Sequence, residues 1–95
     1  MSEGLPPSRS RLRLEGEYDL TRRDEVAALF NALDGDGDVV IDMTNVTYLD
    51  STVLRELASL RLRNANRAIT LMGLSPHIRH ILTVVDFDKI FKITE

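Results

Sequence analysis

A chain of 95 residues, 43% apolar and 28% charged, has room for one domain around one thin core and lacks the composition of a disordered tail. Having no cysteine, it cannot carry a disulfide framework, a cysteine–zinc site or a cysteine nucleophile, and it suits a reducing cytosol. With 12 Lys and Arg against 15 Asp and Glu, it offers no concentrated basic face for phosphates, so direct nucleic-acid binding is not expected. The charge is nevertheless lopsided: residues 1–50 carry 11 acids and 5 bases, and residues 51–95 carry 4 acids and 7 bases. No apolar run approaches a membrane span, and Met1 to Ser10 has no apolar stretch of the kind a secretory signal needs. A cytoplasmic domain without membrane insertion is expected.

Residues 1–10, with two prolines, three serines and a glycine, read as a flexible lead-in, and the domain as 11–95. Arg11 to Glu15 alternates polar and apolar residues, the period of a half-buried strand. Gly16 to Asp19 reads as a turn into a helix capped by Thr21, with Asp24 three residues on completing an approximate capping box. Val26, Leu29, Phe30 and Leu33 then follow at helical spacing. The helix stops in Asp34-Gly-Asp-Gly-Asp38, and Val39 to Met43 reads as a strand buried on both faces. Thr44 to Asp50 reads as a loop that keeps Val46, Tyr48 and Leu49 for packing.

A second helix is predicted from Ser51 to about Asn64, with Leu54, Leu57, Ala58 and Leu62 inward and Arg55, Arg61 and Arg63 towards its flanks. Ala68 to Met72 is a further compact strand. Ser75 and Pro76 have the pattern of an N-cap followed by proline at the first helical position, and Ile78, Ile81, Leu82 and Val85 make the third helix amphipathic. Asp86 to Asp88 ends it, and Ile90 to Ile93 offers a last short strand. The order β-α-β-α-β-α-β predicts an α/β fold: a mostly parallel sheet of four to five strands with helices packed on it through right-handed crossovers.

Few residues carry recognisable chemistry. Asp34, Asp36 and Asp38 have the alternate spacing of a calcium loop, but Val39 and Asn45 stand where an EF-hand needs glycine and glutamate. A solvated helix-to-strand turn explains them better. His77 and His80 could share a helix face, but no cysteine or third histidine completes a zinc site. No metal and no cofactor are expected. There is no Gly-x-Ser-x-Gly elbow, Walker loop or Gly-x-Gly-x-x-Gly, so no catalytic residue is assigned and an enzyme is not expected. A small hydrolase would need His77 or His80 within about 3 Å of the Ser51 hydroxyl.

What remains is Asp50-Ser-Thr52, where the chain leaves a buried strand for a helix N-terminus. Ligands and partners of open α/β sheets are usually met at that end. Asp50 or Ser51 as a plain helix cap is the simplest reading of these residues alone.

Asp42-Met-Thr44 followed by Tyr48-Leu-Asp-Ser-Thr52 resembles the Asp-Leu-Ser…Asp-Ser-Ser/Thr-Gly signature of STAS domains, the anti-sigma factor antagonist family. Gly16-Glu-Tyr-Asp19 is similar to that family's Gly-Glu-Leu-Asp segment, and Leu71 to Ser75 with Phe91 to Ile93 matches its C-terminal part in spacing. The resemblance covers about residues 11–94 and implies a single STAS-like domain. It further implies that Ser51 is a phosphoacceptor, with Thr52 as a substitute, and that Asp19, Thr44, Asp50, Ser51 and Thr52 meet the partner. The implied partner is an anti-sigma factor with serine kinase activity, bound by the unphosphorylated protein and released on phosphorylation. A STAS accessory subunit docked on the ATPase of a membrane ABC transport complex, without a phospho-switch, is the alternative. Val53 stands where the family has glycine, and its bulk is expected to crowd the hydroxyl.

Overall fold

The computed structural model describes residues 9–33 and 37–94. Four strands, β1 (Arg9–Tyr18), β2 (Asp38–Leu49), β3 (Ile69–Met72) and β4 (Lys92–Thr94), alternate with three helices, α1 (Arg23–Asn31), α2 (Ser51–Arg63) and α3 (Pro76–Val84). Single 3-10 turns, Leu20–Arg22 and Phe87–Lys89, precede α1 and follow α3. The sheet is wholly parallel, in the order β1-β2-β3-β4. The predicted α/β alternation and parallel sheet therefore hold.

Strand order equal to chain order has a direct consequence. Each crossover steps the same way across the sheet, and right-handed crossovers stepping one way lay every helix on the same face. Burial follows that rule. Leu14, Val39, Ile41, Met43, Ile69 and Leu71 form one core with Val26 and Phe30 of α1, Val53, Leu57 and Leu60 of α2, and Ile78 and Leu82 of α3. The alternate positions line up across the strands as Arg11, Val40, Thr70 and Lys92, then Arg13, Asp42, Met72 and Thr94. This second face carries no helix among the described residues. The expectation that Val39–Met43 is buried on both faces is thus corrected: Val40 is only half-buried there, and Asp42 is covered by side chains from neighbouring strands.

Several boundaries differ from the sequence reading. β1 opens at Arg9 rather than Arg11, and the rest of the lead-in, 1–8, lies outside the described residues. Gly16–Asp19 is not a turn: β1 continues to Tyr18, paired with Leu49, across two register shifts that give β2 extra residues. Gly16 takes φ +88° in this irregular stretch. The stretch Thr44–Leu49, expected as a loop, is the continuation of β2 along β1. Val46 and Leu49 are buried as expected, whereas Tyr48 is exposed.

Thr21 does not cap α1. The Asp19 carboxylate accepts the Thr21 N–H instead, capping the preceding 3-10 turn, and α1 starts at Arg23. On α2 the buried stripe is Val53, Leu57 and Leu60, and Leu62 is 81% exposed, because the inward face is set by Val53 rather than Leu54. α3 is as predicted at its start: the Ser75 hydroxyl accepts the Ile78 N–H at 3.3 Å and Pro76 takes the first position. The last strand begins two residues later than expected, with Phe91 buried and Ile90 exposed. Of the acidic turn, Asp34–Asp36 lies outside the described residues.

Arg67 was not singled out by its sequence context. It is buried between α2 and β3 and donates to the Leu33 and Gly37 carbonyls, at 2.6 and 2.7 Å, thereby holding both ends of the α1–β2 connection.

Candidate functional site at the start of helix α2

The C-terminal ends of β1 and β2 are stitched by the Asp50 N–H, which donates to the Tyr18 carbonyl at 3.1 Å. That bond fixes where α2 begins. Asp50 is the N-cap, its carboxylate accepting the Thr52 N–H at 2.6 Å. Ser51, the first residue of α2, is exposed, and Thr52 is half-buried. Across from them, Asp19 closes the end of β1. Its carboxyl is held below the ordinary range chiefly by the Thr21 hydroxyl, then by the Thr21 N–H.

Ser51 and Thr52 open onto a depression of about 140 Å³ that is also lined by Leu20, Arg23 and Arg55. Leu20 is 64% exposed, a large apolar side chain left at the rim. Arg23 stands at the start of α1 and reaches towards Glu56 at 3.9 Å. Arg22, one residue earlier, is committed elsewhere. It chelates Glu25, donates to the Glu15 and Glu17 carbonyls, and lies over the Tyr18 ring at 4.0 Å. It thereby anchors the 3-10 turn that presents Leu20. Leu20, Arg23 and Arg55 were missed by sequence reasoning. The four-residue spacing of Ser51 and Arg55, which puts them on one helix face, was the available signal.

The structure corrects the expectation for Val53. Its side chain is fully buried in the core and points away from the hydroxyls, so it does not crowd them. Neither His77 nor His80 lines the depression, and both lie exposed on α3. Among the described residues, no three of His, Cys, Asp and Glu gather as a metal ion would need. No helix among them is long and apolar enough to cross a membrane.

Thr44 does not line this depression. Its hydroxyl and N–H both donate to one Asp42 oxygen, at 2.6 and 2.9 Å, while Arg11 donates to the other at 3.3 Å and Arg13 approaches it at 3.9 Å. Gly73, at φ +73°, presses against Thr44 so closely that a Cβ would lie within contact of the hydroxyl and 2.9 Å from the Thr44 N and Cα. The Asp42–Thr44 pair is therefore a bonded unit within β2, tied to β1 through Arg11 and packed against Gly73 just after β3.

The Asp42 carboxyl is held at about 2, against an ordinary 3.8, first by the Thr44 hydroxyl, then by the Thr44 N–H, with Arg11 adding attraction and cover from solvent opposing them. A carboxyl depressed in the folded state stabilises the fold above about pH 4 and loses that contribution as pH falls through about 2. Because the arginines that cover it are solvent-exposed, the contribution is on the order of 1–2 kcal/mol. Chemical denaturation between pH 5 and 2 is expected to show a steeper loss of stability for the wild type than for Asp42→Asn.

Residues 1–94 match the family model described as Mlab, STAS domain, and the chain belongs to the STAS domain family. It is similar to the STAS-domain containing protein PA14_20770 of Pseudomonas aeruginosa (strain UCBPP-PA14), with 42% identity over 57 residues, 58% of this chain and 56% of that protein. The match thus spans a little over half the length of this curated relative.

Proposed function

We propose that this STAS domain is a non-catalytic, cytoplasmic anti-sigma factor antagonist, switched by phosphorylation of Ser51. The observation that carries the reading is an exposed hydroxyl on the first turn of α2, at the C-terminal edge of a parallel sheet, with Asp19, Leu20 and Asp50 close by. Unphosphorylated, the protein holds an anti-sigma factor with serine kinase activity. In the transfer, Ser51 Oγ bonds to the γ-phosphorus of the kinase's ATP and the bond to the β,γ-bridging oxygen breaks. ADP leaves, and the hydroxyl proton passes to a base of the kinase.

A phosphate adds about −1.5 to −2 charges. Within the monomer, the α2 dipole favours it by about 0.3–1 kcal/mol while Asp50 opposes it, so the fold hardly changes. At an interface shaped for a hydroxyl, the same dianion costs several kcal/mol, and every 1.4 kcal/mol weakens binding about tenfold. Release therefore needs no conformational change.

Paired pull-downs from native lysate with wild-type and Ser51→Asp protein, followed by mass spectrometry, test this reading. A kinase-like ATPase is expected with the wild type, weakened at least about tenfold in the variant. Incubated with labelled ATP, that ATPase should phosphorylate the wild type and not Ser51→Ala. A transporter ATPase retained equally by both baits would overturn the switch in favour of an accessory subunit of a transport complex.

A further inference from the structure

We infer that Arg23 and Arg55 form a seat for the phosphate of modified Ser51, so that the phosphorylated chain pairs its new charge with its own arginines. The inference rests on the reading of Ser51 as phosphoacceptor and names how the modified site is regulated. Ser51 and Arg55 lie four residues apart on α2 and share its face. Arg23 comes from the first turn of α1, which packs beside α2. The three side chains line one depression, roomy enough for several waters and hence for a phosphoryl group.

Which arginines serve is decided by what each already binds. Arg22 is occupied by Glu25 and two carbonyls. Arg55 makes no ion pair among the described residues, and Arg23 has only Glu56, at the outer limit of 3.9 Å. A guanidinium pairs with a phosphate through parallel N–H···O bonds, stronger than the loose contact Arg23 now makes. The two cations also offset the repulsion from Asp50, whose carboxylate is turned to the Thr52 N–H.

The unmodified protein presents the same two arginines beside the Leu20 rim, where they suit an acidic patch on the partner. Phosphorylation then acts twice: it places a dianion in the depression and withdraws the cations that would have met that patch.

The test installs phosphoserine at position 51 during translation, which needs no kinase, and follows its second ionisation by phosphorus NMR. In the folded wild type this ionisation is expected about 0.5–1 pH unit below that of the same protein unfolded in urea, where it falls near 6. Arg23→Gln with Arg55→Gln should remove most of the difference, and Arg63→Gln, at the far end of α2, should leave it. Equal ionisation in folded and urea-unfolded wild type would overturn the seat, as would a difference that survives the double substitution. The outcome is separable from the switch itself. An ATPase lost from Ser51→Asp with no phosphate displacement refutes the seat alone, and a displaced phosphate with no partner lost refutes the switch alone.

Discussion

Gly73→Ala is expected to lower the unfolding free energy by about 2–5 kcal/mol, a large share of the roughly 5–15 kcal/mol that holds a domain of this kind together. Two costs add. At φ +73° any L side chain pays about 1–2 kcal/mol for left-handed backbone. The new methyl also meets Thr44, and overpacking of this kind costs typically about 1–3 kcal/mol. The obstacle is not only a hydroxyl that could swing aside, because the Thr44 N and Cα lie 2.9 Å from where the methyl carbon would stand. Urea unfolding of Gly73→Ala, alone and combined with Thr44→Ala, checks this: the second substitution should restore only part of the loss. Full restoration would place the whole clash on the threonine side chain.

Val53→Gly, which puts the family's glycine into this chain, should cost about 3 kcal/mol. Burying a valine is worth about 1.5–3 kcal/mol, and a glycine in a helix costs about 1 kcal/mol more than alanine. Val53 sits at the head of the buried stripe that continues through Leu57 and Leu60, so its loss opens the core beneath the first turn of α2. Because that side chain faces away from Ser51, the substitution should leave kinase labelling per folded molecule unchanged. Thermal unfolding and a labelling assay on the same preparation separate the two effects. Faster labelling by the glycine variant would show that the valine does restrict access.

The element order and the parallel sheet were readable because hydrophobic periodicity changes cleanly between strands and helices, as in Val39–Met43 against Ile78–Leu82. The errors fell where tertiary pairing overrides local preference. Gly16 looks like a turn residue, yet β2 continues alongside it as far as Tyr18 and absorbs the irregularity in two register shifts. Thr44, Asn45 and Thr47 look like a loop because polar residues are frequent there. They belong to a strand that has outrun the four-residue β3 and pairs on one side only. On α2 four leucines left the inward face ambiguous until Val53 was placed.

At the site, Asp50 and Ser51 were legible from local chemistry, since a cap and a helix start follow from neighbouring residues. Asp19 followed from the family resemblance. Arg23 was not legible, because only the packing of α1 beside α2 brings it to Ser51. The same resemblance grouped Thr44 with the partner-binding residues; the structure leaves it exposed, apart from the depression, with its hydroxyl bonded to Asp42 and its backbone against Gly73.

A sheet whose spatial order repeats its chain order also prescribes how it can assemble. Arg9 meets Asp38, Val39 meets Ile69 and Thr70 meets Lys92, so every pairing closes a loop of one strand–helix unit and none joins the first unit to the last. Closure entropy grows only slowly with loop length, so these steps cost similar amounts, and each new unit docks on an edge the previous one has just finished. A chain leaving the ribosome can therefore complete β1, α1 and β2 without waiting for β4, whose three residues contribute only the final edge.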